Sequence, residues 1–458
     1  MRNQKGTVMG NLLIKQGKGK KWRVDVFPLV LILIYLVLQM SAVLIYGDDY
    51  YMGDMAQMNS NDDVKYVRTA LILLDEGELY YQDGDIDAGV PTVFIMPGFP
   101  IFLAAFLKIF GLPGGLLAVR LVQGLLQGGV MALLYRLGKK YVNVWAARVA
   151  LILYLLYIPN LSVSLLILTE ALFTFLFVLL VTLCFEAVES KKMRYYVGGA
   201  VVLGLAALIR PTILLFPVVI LIMWLLKKYS IKEMLMRALV VGCILVALLM
   251  PWWIRNGVEF GRFIPLTVAA GDPFMQGAFI GYDMSDMGRY MEDFPPATDA
   301  FATDQAKMDI GKARLRESWQ ERPLATIAWY TVGKFFYLWG IPFHDCPNPY
   351  YESAIKVTLF RVPFEVNVVY HWLVLVSGIG GLVFLFRKGK PDRRLNMLMP
   401  LSMIYMCVVY LPYYVQPRYA YPIMPLVFLL AGYGIYSVGK RLRRKIMRRY
   451  KSKLCSTE

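Results

Sequence analysis

Long apolar runs, each bounded by short clusters of lysine and arginine, set the pattern of this chain. The first, VFPLVLILIYLVLQMSAVLIY at 26–46, is long enough to cross a bilayer, which takes about 20 helical residues. Similar runs predict further spans near 117–137, 144–160, 168–187, 196–209, 212–226, 238–254, 367–386, 396–413 and 419–438, roughly ten in all. The basic clusters RLGKK, ESKKMR, KKYSIKEMLMR and RKGKPDRR lie between them, with more at both ends of the chain. Placing all of these on the cytoplasmic side fixes the threading, with both termini inside. Two apolar runs do not fit as spans, 96–111 and 324–340. Both are short and carry a lysine, and crossing by both would put the basic loops outside. They are expected to be interfacial or re-entrant helices on the outer face.

The predicted fold is therefore an all-α polytopic membrane bundle. A basic cytoplasmic N-terminus covers 1–25, the transmembrane domain 26–438 and a basic cytoplasmic tail 439–458. Outer loops cover 47–116 and 255–366, the second with a surface helix expected over 303–320. Composition agrees: 58% of residues are hydrophobic and 18% charged, against about a quarter charged in soluble domains. The net charge of +17 would suggest nucleic acid in a soluble protein. Here it sits in the flanks of spans, where it also meets anionic headgroups, and no nucleic-acid motif accompanies it. Cys184, Cys243 and Cys407 lie in apolar runs and Cys455 in the tail, so the one outward cysteine, Cys346, has no internal partner. The N-terminus shows no small-residue cleavage site, and the first run is expected to stay as a helix.

Between 47 and 95 the first outer loop carries eleven Asp and Glu against Lys65 and Arg68. Most serve the solubility of an exposed loop. In SNDD, Asp62 and Asp63 resemble a helix N-cap, followed by apolar positions Val64, Val67, Ala70, Leu71 and Leu74, with Gly77 placed to end the helix. A carboxylate fixed there serves either as that cap or as a general base. DGDIDAG at 83–89 alternates acids like a calcium loop but lacks the sixth-position glycine and the distal glutamate, so it reads as a solvated turn.

Glu170, at the outer mouth of a span, is either a functional acid or an anion favoured by the helix dipole with Thr169 as cap. Arg120, Arg210, Arg255 and Arg418 fall at the outer interface, and Lys334 on an interfacial helix. They either snorkel and pair with the acidic loop or bind a phosphate-bearing ligand. The two histidines, His344 and His371, have no partner at metal spacing and are expected to be structural.

In order along the chain stand DDVKYVRTALILLDEGELYY, PGFPIFLAAFLKIFGLPGGLLAVRLVQGLLQGGVMALLYRLGKKY, LTEALFTFL, LAALIRPTILLFP, PWWIRNGVEFGRFIPLT and QPRYAYPIMPLVFLLAGYG. This set resembles the GT-C membrane glycosyltransferases of the glycosyltransferase family 39 type, which include protein O-mannosyltransferases and the lipid A aminoarabinose transferase. The resemblance implies a polyprenyl- or dolichyl-phosphate-linked sugar donor used at the extracytoplasmic face of the plasma membrane. It implies a catalytic acid four residues before an aromatic, matched by Asp62 and Tyr66, with Asp63 where relatives often have glutamate. Glu170 matches a second acid that is often aspartate. Arg120, Arg255 and Arg418 match outer-face arginines suited to the donor phosphate.

The aminoarabinose transferase has a Glu-Lys pair where this chain has Ile95 and Met96, so its substrate and metal ligation are not carried over. Nor is a large C-terminal soluble domain expected. The implied activity is inverting transfer to a protein, lipid or cell-wall polymer with Asp62 as base, with no cofactor required and a divalent cation compatible. A transporter or flippase of a lipid-linked saccharide is the alternative. It predicts internal repeats, which the sequence does not display.

Overall fold

The computed structural model describes residues 11–14, 22–47, 62–81, 91–290, 300–343, 364–387 and 393–454. These are helical apart from loops and one antiparallel pair, β1 (Asn11–Ile14) and β2 (Trp22–Asp25), with Asn11 opposite Asp25. Helix α1 (Val26–Tyr46) starts directly after, where the Asp25 side chain accepts from the Phe27 N–H.

Helix α2 (Asp62–Asp75) ends before Gly77, whose φ of +77° suits only a residue without a side chain. Helix α3 (Gly98–Leu137) has 40 residues, about 60 Å at 1.5 Å per residue, twice a bilayer core. Gly111 resolves this, since at φ +70° and ψ 179° it breaks the helix into two arms, with Pro113 just beyond. The first arm covers the run expected at the interface; the second carries the span.

Helices α4 (Val144–Leu155), α5 (Pro159–Ser162), α6 (Glu170–Ser190) and α7 (Met193–Ala207) follow. After a 3-10 turn (Pro211–Leu215) come α8 (Pro217–Leu226) and α9 (Ile231–Phe260), which opens on a capping box of Ser230 and Glu233. The long segment after α9 holds α10 (Gly271–Ala278), α11 (Ala300–Glu321), α12 (Pro323–Ala328) and α13 (Lys334–Trp339). The chain closes with α14 (Phe364–Leu385), α15 (Arg393–Asn396), α16 (Leu398–Val408), α17 (Pro417–Ala420) and α18 (Met424–Leu454).

Among the described residues six helices are long and apolar enough to span, and four shorter apolar segments, at 144–155, 193–207, 211–226 and 398–408, fall where the other spans are expected. Helix α18 runs on through the basic tail rather than ending near 438, because lysine and arginine are good helix formers.

The apolar window of α6 is 78% buried and that of the α17–α18 segment 72%, whereas α1 and α9 reach only 22% and 11%. The first pair forms the centre, and the second presents bare flanks such as Leu29, Leu33 and Val37 to lipid. Small residues let α18 approach its neighbours: a Cβ at Gly432 would lie 2.4 Å from the Ala146 carbonyl oxygen of α4.

Above this bundle, α2 packs Val67 and Ala70 against Phe99, Leu103 and Leu107 of the first α3 arm. Helices α10 and α11 dock through Met275, Phe279 and Ile310. Both pairs leave polar helix ends facing one cleft.

Candidate active site

Four polar side chains reach this cleft from separate elements: Asp62 at the start of α2, Glu170 at the start of α6, Arg210 before the 3-10 turn and Arg418 on α17. They form two ion pairs. Arg418 Nη1 donates to Asp62 Oδ2 at 2.9 Å, and Arg210 Nη2 to Glu170 Oε1 at 2.5 Å. Arg210 also donates from Nε and Nη2 to Thr169 Oγ1, at 2.9 and 2.7 Å.

The pairs differ in setting. The Glu170 and Arg210 side chains are 1% and 13% exposed, against 37% and 26% for Asp62 and Arg418. Tyr66, one turn beyond Asp62, packs edge-on to Phe99 and lines the same cleft; burial above all raises its hydroxyl pKa, and the charges of Asp62, Arg210, Glu170 and Arg418 all act on it.

Asp62 is not the helix cap. Its Oδ1 accepts from Tyr81 Oη at 3.4 Å and its Oδ2 from Arg418, so both oxygens turn toward the cleft. Burial pushes its pKa up, but the Arg418 charge and hydrogen bond, with Lys65 and Tyr81, outweigh burial and hold it below the ordinary carboxylate value. Asp63 is 3% exposed, accepts from the Val64 N–H at 2.9 Å and stays out of the cleft. Thr169 does not cap α6 either, its hydroxyl being taken by Arg210.

Three of the five expected cations do not line the cleft. Arg120 is 1% exposed and donates from Nε to the Leu165 carbonyl at 2.9 Å. Arg255 donates to the carbonyls of Thr92 and Leu79 at 3.2 and 3.3 Å. Lys334 is fully buried and donates to the carbonyls of Leu411 and Tyr413 at 2.7 and 3.0 Å. None lines the cavities described below. The physical reason is that loop carbonyls buried away from water need donors, and these cations supply them.

A cavity of about 550 Å³ opens from the ion pairs. Asp62, Thr169, Glu170, Arg210 and Arg418 line its polar end, and Leu168, Ile209, Leu214, Leu215 and Val409 are among its apolar walls. A second cavity of about 430 Å³ also borders Asp62 and Arg418, so the two meet at this pair. Sequence reasoning missed the aromatic lining of Tyr81, Tyr414 and Tyr419, although the run YYVQPRYAY was a usable signal.

His371 is buried between Tyr157 Oη and the Trp339 carbonyl, both at 2.9 Å, a structural setting. His344, Cys346 and DGDIDAG lie outside the described residues. Among the described residues no three His, Cys, Asp or Glu side chains gather as a metal site.

Residues 91–254 match the family profile described as dolichyl-phosphate-mannose-protein mannosyltransferase. That stretch contains Glu170 and Arg210 but stops short of Asp62 and Arg418. No curated protein matches the sequence. The fold is similar to that of the Archaeoglobus fulgidus oligosaccharyltransferase in the apo form, at TM-score 0.55 and 14% identity over 93% of this chain and 52% of that one. The same archaeal enzyme in complex with an inhibitory peptide and a dolichol-phosphate gives 0.54 and 14%, over 92% and 52%. The chain thus spans about half the length of the enzyme it matches. ArnT from Cupriavidus metallidurans bound to undecaprenyl phosphate gives 0.41 and 12%, over 90% and 77%. With its bundle of apolar helices and matched central segment, the chain is a multi-pass membrane protein of the GT-C glycosyltransferase fold.

Proposed function

We propose that this protein transfers a hexose or pentose from a polyprenyl-phosphate donor to an acceptor hydroxyl at the extracytoplasmic face of the plasma membrane. The observation that carries this reading is the chamber in which Arg210 and Arg418 stand at the polar end of otherwise apolar walls. A lipid phosphate needs both features, since guanidinium groups bind phosphate oxygens in pairs and aliphatic side chains accept isoprene units. The family profile and the dolichol-phosphate complex of the archaeal enzyme support a lipid-phosphate donor.

In the proposed reaction the acceptor oxygen attacks the anomeric carbon while Asp62 takes its proton. The bond from that carbon to the phosphate oxygen breaks, and the electron pair leaves with the lipid phosphate. Arg210 and Arg418 meet the growing charge, and Glu170 and Thr169 fix Arg210 in place. A single displacement inverts the anomeric centre. On this reading the guanidiniums of Arg210 and Arg418 hydrogen-bond the monophosphate directly, and a metal ion is not required.

Asp62→Asn tests the assignment. In proteoliposomes charged with polyprenyl-phosphate sugars, transfer should fall by about 10²–10⁴-fold, the usual contribution of a general base, with donor binding retained. Wild-type transfer should also survive EDTA. Undiminished transfer by the variant would remove Asp62 as base. Transbilayer movement of the donor without transfer, in the wild type, would favour the transporter.

A further inference from the structure

The smaller cavity, which shares the Asp62–Arg418 pair with the larger one, differs from it in lining. Helices α10 and α11 bring Asp272, Gln276, Asp304 and Lys307 to its wall, and Tyr81, Tyr414 and Tyr419 add aromatic side chains to the lining. The polar groups are held in place rather than loosely solvated. Asp272 accepts from Lys307 Nζ at 3.1 Å and from Gln276 Nε2 at 2.5 Å. Asp304 Oδ1 accepts from the Gly271 N–H at 2.7 Å, while its second oxygen meets no donor among the described residues. A Cβ on Gly271 would lie 2.1 Å from the Asp304 carbonyl oxygen, so α10 and α11 are pressed together at this wall. The volume of about 430 Å³ suits a small ligand, for which sites run roughly 300–1,000 Å³.

We propose that this cavity is the acceptor subsite and that the acceptor is a saccharide. The proposal rests on the transferase reading above. A sugar ring is edged with hydroxyls that donate and accept, and its faces are C–H. Fixed carboxylates accept from the hydroxyls, an amide and an ammonium donate to them, and tyrosine rings cover the apolar faces. The acceptor hydroxyl that reaches Asp62 gives up its proton there, its oxygen bonds to the donor's anomeric carbon, and the lipid phosphate departs on the opposite side.

The test uses the full chain in nanodiscs and saturation-transfer NMR. The probes are methyl glycosides of glucose, mannose, galactose and N-acetylglucosamine, beside a threonine-containing tetrapeptide. At least one glycoside should bind. Asp304→Asn, which keeps an acceptor for the Gly271 N–H, and Asp272→Asn should each weaken that binding about tenfold, with unchanged melting temperatures. Binding by the tetrapeptide alone, by no glycoside, or by glycosides indifferent to both substitutions would overturn the proposal. Donor turnover is read separately. A protein that binds a glycoside through Asp272 and Asp304 but cleaves no polyprenyl-phosphate sugar would retain this saccharide site and lose the transferase reading.

Discussion

Arg418 does two things at once: it holds Asp62 ionised, and it borders the chamber proposed for a phosphate. Because the Asp62 pKa is lowered in the fold, the pair stabilises the protein above the ordinary carboxylate range, and its contribution disappears as pH falls through the lowered value. Both side chains are partly exposed, so the contribution is about 1 kcal/mol or less. The melting temperature of the wild type should exceed that of Arg418→Gln slightly at pH 7, and the two should converge below about pH 4. Glu170 is a sharper case. Deleting it in Glu170→Ala leaves the Arg210 guanidinium buried without its carboxylate, a loss of about 3–5 kcal/mol in denaturation assays. A loss below about 1 kcal/mol would return Glu170 to a helix-dipole role. The sequence pointed to Asp62, Tyr66, Glu170, Arg210 and Arg418, all of which line the larger cavity. It also pointed to Arg120, Arg255 and Lys334, because a cation beside an outer loop has the same local sequence whether it meets a carbonyl or a cavity.

Among the elements, the break in α3 matters most for the site. Its first arm carries Phe99, against which Tyr66 and the apolar face of α2 pack, so the angle at Gly111 helps set where Asp62 stands. The backbone conformation at Gly111 is one that side-chain-bearing residues avoid. Gly111→Val should cost about 1–3 kcal/mol and raise the apparent KM for acceptor, measured by thermal melts and initial rates. An unchanged KM would detach the arm from the site. The short lysine-bearing run before Gly111 made this arm legible in the sequence. The pairing of α10 with α11 was not, because it depends on Gly271, Phe279 and Ile310 meeting across a long loop, with no periodic pattern linking them.

At the scale of the whole molecule, the basic clusters set the expected side of each loop independently of tertiary packing. The proposed threading puts α11 outside and the turn after α3 inside. With the native cysteines replaced by serine, cysteine at exposed Gln305 should therefore react with a membrane-impermeant maleimide on intact cells, and cysteine at exposed Lys139 only after permeabilisation. The reverse pattern would invert the protein and remove the extracytoplasmic site.

The wall shared by the two cavities has a kinetic consequence. With Asp62 and Arg418 bordering both chambers, the proposed reaction has donor and acceptor in the protein together, facing a single carboxylate. Turnover by that route would pass through a ternary complex with no covalent glycosyl-enzyme to accumulate, and a filled donor chamber with no acceptor would leave only water to attack.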